Sequence, residues 1–253
     1  MMKIGAQLFT LRDYCKTPED LAETLKKVAE IGYTTVQVSG TCAYDPTWLR
    51  DELKKNGLTC AITHTSFDRM LEMPETVLAE HKTFGCDYIG VGYYKGLREE
   101  EDLDYFVEAA HKLGKVFAPA GAKLMYHNHY EEMNQGADGK TRLISLIERT
   151  TPEEIGITVD TYWLQYGGAD VADYFKALSG RIDCVHFKDM RVVGKEIRMA
   201  PVGEGSINFA KLIPLCYDGG TKYILVEQDN CYGEDPFDCL AKSYRYLKAQ
   251  GLS

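Results

Sequence analysis

Short apolar runs alternate with amphipathic segments along the whole chain, at a spacing of roughly 30 residues, the size of one strand–helix unit. The predicted strands cover 3–9, 33–38, 58–62, 86–91, 122–126, 155–159, 182–187 and 223–226. The predicted helices cover 18–31, 46–55, 74–84, 99–113, 141–149, 171–178, 208–217 and 236–247. Strict alternation of this kind predicts a parallel sheet whose crossovers are right-handed.

The number of units decides between the two common parallel-sheet architectures. The chain has 253 residues, close to the ~250 of a single (β/α)₈ barrel. An open doubly wound sheet is the chief competitor, and it favours a glycine-rich turn after the first strand. The turn here, TLRDYCKTPED, contains no glycine. Because no linker or low-complexity tract interrupts the pattern, we predict one (β/α)₈ TIM barrel over residues 1–253.

The stretch from Gly156 to Met190 shows where chemistry is expected. An apolar strand ends at Asp160, a helical segment follows, and the next strand carries His186 near its end. In a parallel sheet both side chains reach the same rim, and Glu227 joins them from the eighth strand. Burying these two carboxylates and the imidazole without partners would cost several kcal/mol, so a purely structural role is disfavoured. Their types suit Mn²⁺, Mg²⁺ or Zn²⁺.

Several other polar or aromatic residues are expected at the same rim. They are Gln7, Arg12, Gln37, His64, Tyr93, His127, His129, Glu131, Glu132, Trp163, Lys188 and Asp229. Each has a structural alternative: Trp163 would fill the barrel mouth, Arg12 would pair with a neighbouring helix, and Lys188 would belong to a solvated turn. The rim therefore has more candidates than one reaction needs.

Charge and composition narrow the function classes. The net charge is −9, and an acidic surface repels phosphate backbones, so we expect no nucleic-acid partner. The sequence has no apolar run long enough to span a membrane and no secretion-type start, so neither a membrane partner nor secretion is expected. The eight cysteines are scattered without a CxxC pair. Free thiols in a reducing cytoplasm are the expected state.

Six short motifs carry a resemblance to a known family. They are IGAQLFTLRD, YHNHYEEM, VDTYWLQYGG, VHFKDM, VGEGSINF and ILVEQD, in this order over nearly the whole chain. In these motifs the sequence resembles the xylose isomerase-like TIM barrels of the sugar phosphate isomerase/epimerase family. That family also contains endonuclease IV and inosose dehydratase, so the resemblance is specific for the family and poorly specific for the substrate.

The resemblance implies one divalent metal ion held by a Glu, Asp, His, Glu set from strands five to eight. Asp160, His186 and Glu227 match three of these positions. The fifth strand has an HNH run instead of the glutamate, and two candidates remain: Glu132, which we favour because it preserves the carboxylate charge, or His127. Mn²⁺ is the expected ion, with Mg²⁺, Co²⁺ and Zn²⁺ as alternatives. Gln37 is a second departure, at a position where relatives often have glutamate.

The resemblance further implies an isomerase or epimerase that acts on a small keto-sugar or polyol through an enediolate. Glu227 and Glu132 are then the proton-transfer candidates, with His127 or His129 as the alternative for the second group. Lys188 is placed to hold a developing oxyanion or a hydroxyl. The residues predicted to bind the substrate are Trp163, Arg12, Gln7 and His64.

Three alternatives remain at this point. A dehydratase of inosose or 3-keto-glycosides would share the enediolate step and differ only in loss of a β-hydroxyl. A nuclease of the endonuclease IV type would need more metal ligands and a basic face, against six histidines and a net charge of −9. A non-catalytic sugar-binding barrel would have no need of a complete metal set. The expected partner is a small sugar, and association of the chain with itself is left open.

Overall fold

The computed structural model describes residues 2–98 and 102–252. Eight parallel strands close into a barrel in the order β1, β10, β7, β6, β5, β4, β3, β2. The barrel strands are β1 (Lys3–Gln7), β2 (Thr35–Val38), β3 (Thr59–His64), β4 (Tyr88–Val91), β5 (Lys123–His127), β6 (Ile155–Asp160), β7 (Cys184–Phe187) and β10 (Tyr223–Val226). The predicted TIM barrel is therefore confirmed, although Met1, Ser253 and the predicted helix start at 99–101 lie outside the described residues.

The helices pack around the outside of the barrel, and each helix buries one of its faces against the strands. They are α1 (Pro18–Ile31), α2 (Pro46–Lys55), α3 (Phe67–Glu72), α4 (Pro74–Thr83), α5 (Lys95–Arg98), α6 (Leu103–Phe117), α7 (Arg142–Glu148), α8 (Thr161–Tyr166), α9 (Val171–Ala177), α10 (Phe209–Asp218) and α11 (Pro236–Ala249). Short 3₁₀ helices occupy Leu8–Tyr14, Ala118–Ala120 and Glu131–Met133.

Helix α1 shows how local sequence sets these boundaries. The Thr17 side chain accepts a hydrogen bond from the amide of Asp20, whose carboxylate accepts one from the amide of Thr17. This capping box satisfies amide groups that have no partner within the helix. The helix ends at Gly32, which has φ +119°, a conformation that glycine adopts without a steric penalty. The predicted start and end of this helix are confirmed.

The structure departs from the predicted elements in two places that matter for the site. The first strand was predicted to reach Phe9 but ends at Gln7, because Leu8–Tyr14 turns into a 3₁₀ helix that the Gln7 side chain caps by accepting from the amide of Phe9. An antiparallel hairpin, β8 (Asp189–Val193) with β9 (Glu196–Ala200), follows the seventh barrel strand and was not predicted. Its strands lie outside the barrel, beyond Lys188.

The two ends of the barrel are chemically different. At the amino-terminal end, Asp183 pairs with Lys123 at 2.7 Å and Lys222 at 3.3 Å, and the Tyr88 hydroxyl donates to it at 3.0 Å. Apolar side chains such as Met125 and Leu225 fill the layer above. Imidazoles, carboxylates and one lysine collect at the carboxyl-terminal end, where active sites of such barrels lie. No helix among residues 2–98 and 102–252 has the length and hydropathy of a membrane span.

Candidate active site

Four buried residues at consecutive strand ends form the centre of the candidate site. His127, Asp160, His186 and Glu227 each place one nitrogen or oxygen atom within 4.8 Å of those of the other three. Asp160 and His186 are register partners on β6 and β7, and Leu225, two residues before Glu227, is the partner of His186 on β10. The structure therefore brings Asp160, His186 and Glu227 together, as the positions of the strand ends predict. We call these four residues the central cluster.

Glu132 does not reach the central cluster, although the sequence favoured it as the fourth metal ligand. After β5 the chain turns into the 3₁₀ helix Glu131–Met133, which directs this carboxylate back toward the strand. One of its oxygens accepts a hydrogen bond from the Tyr126 hydroxyl at 2.5 Å, and the other accepts from the amide of His129 at 2.9 Å. His127, the alternative at this position, takes the fourth place in the cluster.

Outer hydrogen bonds fix which nitrogen each cluster histidine presents. His127 Nδ1 lies 3.4 Å from the carbonyl oxygen of Thr158, which can only accept, so Nδ1 carries the hydrogen and Nε2 keeps a lone pair. His186 Nε2 donates to Gln37 Oε1 at 2.6 Å, which leaves Nδ1 facing the carboxylates. Histidines that ligate metals are usually oriented by such partners. The role of Gln37 was not recognised in the sequence.

The Lys188 ammonium lies among three carboxylates. Its Nζ is 3.4 Å from Asp160 Oδ2, 3.3 Å from Glu227 Oε2 and 2.7 Å from Asp229 Oδ2, and the side chain is 1% exposed. Burial alone would lower the pKa of this lysine, but Asp160, Glu227 and Asp229 outweigh it and raise its pKa, so it stays charged. Burial and the neighbouring Glu227 raise the pKa of Asp229 to about 6.

The histidines of the site differ in charge because their neighbours differ. Burial lowers the pKa of His186, but the carboxylates of Glu227 and Asp160 reverse this and raise its pKa to about 9. Burial and the positive charge of His186 hold the pKa of His127 well below its usual range. The same causes lower the pKa of His64 to about 3. Burial would raise the pKa of Glu227, yet Lys188 and His186 hold it well below the usual value.

The donor atoms of the central cluster fit a divalent cation. Asp160 Oδ1 accepts from the amide of Trp163 at 2.9 Å, while Oδ2 is buried and accepts no hydrogen bond. His186 Nδ1 lies 2.8 Å from Glu227 Oε2 without the geometry of a hydrogen bond. Ion pairs with Lys188 and Glu227 satisfy these two buried atoms only in part, because neither atom has a hydrogen bond. Two imidazoles with two carboxylates are a donor set that Mn²⁺, Co²⁺ or Zn²⁺ accept.

A cavity of about 420 Å³ opens above this cluster. His127, Lys188, Glu227 and Asp229 contribute to its lining, and so do two predicted site residues, His64 and His129. Phe9 and Tyr93 add apolar surface. A space of this size with convergent polar groups at one end suits a small ligand. Asp229, also in the lining, was expected at the rim from the sequence but was given no role, whereas Ser39 was not proposed; it directly follows the end of β2, which is the signal that would have found it.

Three residues predicted to bind substrate lie outside the described lining of this cavity. Gln7 is fully buried and caps the 3₁₀ helix at Leu8–Tyr14. Arg12 donates to the carbonyl oxygen of Phe9 at 2.9 Å and lines a neighbouring cavity that shares Asp229. Trp163 packs against His129, with ring centroids 5.2 Å apart, and the Lys188 ammonium lies 5.1 Å from the centre of the Trp163 ring. Trp163 thus contacts two residues of the cavity lining.

Comparisons with known proteins agree with this architecture. The family described as xylose isomerase-like TIM barrel matches residues 25–249. Among curated relatives, an inosose dehydratase from Geobacillus kaustophilus is 28% identical, over 89% of this chain and 83% of that protein. Among solved structures, a sugar phosphate isomerase/epimerase from Parabacteroides distasonis superposes with a TM-score of 0.83 at 20% identity, covering 98% of this chain and 94% of that one. An L-ribulose 3-epimerase gives 0.76 at 16% identity, covering 99% and 94%.

Proposed function

The chain belongs to the xylose isomerase-like TIM-barrel family, and we propose that it is an enzyme that removes a proton from the carbon beside the carbonyl of a small polyhydroxylated ketone. The observation that carries this proposal is the central cluster, with Lys188 beside it, opening into a cavity of about 420 Å³. A barrel that only bound a sugar, without catalysis, would not require a buried ammonium, two carboxylates and two imidazoles at the base of one cavity.

The central cluster is the proposed site of one divalent cation, held by His127, Asp160, His186 and Glu227, and binding of the ion would release the proton that the two carboxylates keep on His186. When bound, such an ion supplies Lewis-acid polarisation of a carbonyl and its neighbouring hydroxyl. Mn²⁺ remains our expectation from the sequence. His127 replaces Glu132 in this proposal because the structure brings its imidazole, and not that carboxylate, within reach of the other donors.

Proton transfer is assigned to residues that line the cavity. Glu227 is the proposed base, since its carboxylate lies at the base of the cavity and stays ionised through Lys188 and His186. His129 is the proposed second group, because its imidazole lines the same cavity whereas the Glu132 carboxylate is bonded to Tyr126 and the His129 amide. Lys188 is proposed to hold the substrate oxygen that gains negative charge.

Two outcomes follow from the same first step, and each has its own support. Loss of a β-hydroxyl would make the protein a dehydratase, as the name of the Geobacillus kaustophilus relative suggests for its own reaction. Return of a proton would make it the isomerase or epimerase predicted from the sequence, for which a base and a second proton-transfer group in one cavity are the requirement. We place the dehydratase first because that relative covers most of the chain, and the isomerase or epimerase second.

The charge of the cavity favours a substrate without phosphate. Among its described lining residues, Lys188 is the one lysine or arginine, and it is already paired with Asp160, Glu227 and Asp229. Phosphate groups are usually bound by arginine, lysine or a helix amino-terminus. We therefore propose keto-inositols, unphosphorylated ketoses and 3-keto-glycosides as the substrate classes.

Deuterium exchange tests the shared step directly. The metal-loaded protein is incubated in D₂O with each ketone class, and incorporation of deuterium beside the carbonyl is followed by NMR. Incorporation that Glu227→Gln abolishes supports the proposal, and loss of one water from the product identifies the dehydratase, whereas an epimer or isomer identifies the second candidate. Failure of exchange with every ketone class, in protein whose cation content has been verified, would overturn the proposed function.

A further inference from the structure

His64, which the proposed reaction leaves unused, lies against the central cluster. It ends strand β3, and one of its nitrogens lies within 4.8 Å of nitrogens of His127 and His186. The ring centroid of His64 lies 5.3 Å from the ring centroid of His127 and 6.0 Å from that of His186. These three histidines form a second group with metal-ligand spacing, which shares two members with the central cluster. We call this group the imidazole face.

The orientation of the His64 ring is fixed by its surroundings. Its Nδ1 is 3.1 Å from Ser39 Oγ, while its Nε2 is buried and makes no hydrogen bond. The backbone at Gly92 lies against the ring: a Cβ atom at that position would approach His64 Nδ1 to 2.5 Å. A side chain at position 92 would therefore displace the imidazole. The fold holds a ring in place while leaving one buried nitrogen without a partner, an arrangement that is costly unless a ligand completes it.

We propose that His64 is a metal ligand, which with His127 and His186 offers the cation of the proposed reaction a second position beside the one at Asp160 and Glu227. The inference rests on the cation assigned to the central cluster under the proposed function. Each member of the imidazole face has one ring nitrogen held by an outer partner: Ser39 for His64, the Thr158 carbonyl for His127 and Gln37 for His186. Such outer partners are the usual companions of metal-ligating histidines.

Ligand chemistry then sets the metal preference of the site. Imidazole nitrogen suits Co²⁺, Ni²⁺ and Zn²⁺, whereas Mg²⁺ prefers oxygen ligands and gains little from a histidine. An affinity order that favours the later transition metals would not by itself identify His64, because nearly every site with nitrogen donors shows it. The discriminating quantity is how the loss of His64 changes affinity for a nitrogen-preferring ion compared with an oxygen-preferring one.

The experiment uses the full chain stripped with a chelator and then titrated with Co²⁺ or Mg²⁺. Calorimetry gives the affinities, and the visible absorption of Co²⁺ reports its ligands. His64→Phe keeps a ring and removes both nitrogens, Ser39→Ala removes only the outer hydrogen bond, and Tyr93→Phe is the matched control in the same cavity wall. We expect His64→Phe to weaken Co²⁺ at least about 10–100-fold and to change its spectrum, because loss of an outer partner alone costs that much.

The other variants define what supports and what overturns the inference. Mg²⁺ affinity should change less than about threefold in His64→Phe, and Ser39→Ala should weaken Co²⁺ by about tenfold with Tyr93→Phe unchanged. An unaltered Co²⁺ spectrum and affinity in both His64→Phe and Ser39→Ala would overturn it, and so would equal losses for Co²⁺ and Mg²⁺. These titrations contain no substrate, so their result is independent of the deuterium-exchange test. If His64→Phe alters Co²⁺ binding but no ketone exchanges deuterium, the proposed reaction is refuted while the assignment of His64 as a metal ligand stands.

Discussion

Asp160 and His186 face each other across adjacent parallel strands, with Asp160 Oδ2 3.8 Å from His186 Nδ1 and both side chains fully buried. The helices α8 and α9 separate them along the chain, so the barrel register, and not local sequence, brings them together. Register in a parallel sheet is set over the whole strand by which side chains are buried. The site therefore depends on the correct pairing of β6 with β7 more than on any single loop.

The first prediction concerns the cation. Asp160→Ala and His186→Ala should each lower divalent-metal affinity at least about 10–100-fold, since removing a ligand should cost no less than removing an outer partner. Metal content after dialysis, measured by plasma mass spectrometry, gives the result, and Tyr166→Phe on the exposed rim is the control. Full metal content in both alanine variants would contradict the assignment of the central cluster.

The second prediction separates His127 from Glu132. His127→Asn should weaken cation binding much more than Glu132→Gln, because the Glu132 carboxylate is held by Tyr126 and the amide of His129. Glu132→Gln should instead lower the free energy of unfolding by about 1–3 kcal/mol, the cost of a lost charged hydrogen bond in a buried position. Metal titration and urea denaturation of the two variants give both numbers. The reverse order of metal affinities would restore Glu132 as the ligand.

The contrast between these two residues shows which parts of the site could be predicted from sequence. Periodicity and caps placed the eight barrel strands, and a strand end fixes the rim position of its side chain, so Asp160, His186 and Glu227 were found. Glu132 sits five residues beyond the end of β5, in a loop whose 3₁₀ turn decides the direction of its carboxylate. The direction of this turn depends on contacts with Tyr126, which no sequence pattern predicts.

The roles of Gln37 and His64 could not be predicted for a different reason. Both lie at strand ends and were expected at the rim, but their partners come from strands that are distant in the chain. Gln37 on β2 contacts His186 on β7, 149 residues away. His64 on β3 meets His127 and His186 because a closed barrel brings its strand ends around one axis. Only the closed geometry decides which rim residues touch.

A third prediction concerns acid stability and a histidine away from the site. His81 on α4 donates from Nδ1 to the Val77 carbonyl and accepts at Nε2 from Thr63 Oγ1, and burial lowers its pKa from 6.5 to about 4. In the unfolded chain this group would bind a proton near pH 6.5, so its stabilising contribution is present above that pH and is lost as the pH falls toward 4. At pH 5 the loss from this group is about 2 kcal/mol.

The measurement compares urea denaturation of the wild type and His81→Gln between pH 7 and pH 5, since carboxylates common to both proteins also titrate there. The wild type should lose about 2 kcal/mol more than the variant over this interval. Spectra recorded at both pH values establish that each protein is folded in the absence of urea. Parallel pH profiles for the two proteins would show that His81 can be protonated in the folded state without cost.

The fourth prediction concerns phosphate. For any ketone that the enzyme accepts, the phosphorylated analogue should have a lower kcat/KM by at least about tenfold, because the described cavity lining has no arginine and its one lysine, Lys188, is already paired with Asp160, Glu227 and Asp229. Asp229→Asn removes one of these negative charges and should reduce the difference in kcat/KM between the unphosphorylated and the phosphorylated ketone. High salt should also reduce this difference in kcat/KM, because it screens the charges. Preference for the phosphorylated ketone in the wild type would contradict the proposed substrate class.

The last prediction concerns Glu227, which is assigned two roles at once, as a ligand and as the base. If this side chain only held the cation, Glu227→Gln would lose activity in proportion to metal occupancy, and saturating Mn²⁺ would largely restore it. If it also removes the proton, the variant stays inactive with the site full, because an amide cannot accept that proton. A positioned base contributes about 10²–10⁴-fold, so the loss should fall in this range at full occupancy. Deuterium incorporation is compared between wild type and variant at saturating Mn²⁺, with metal content measured on the same samples. Exchange near the wild-type rate in Glu227→Gln would remove Glu227 from proton transfer and leave His129, the other proton-transfer candidate in the cavity wall, as the base.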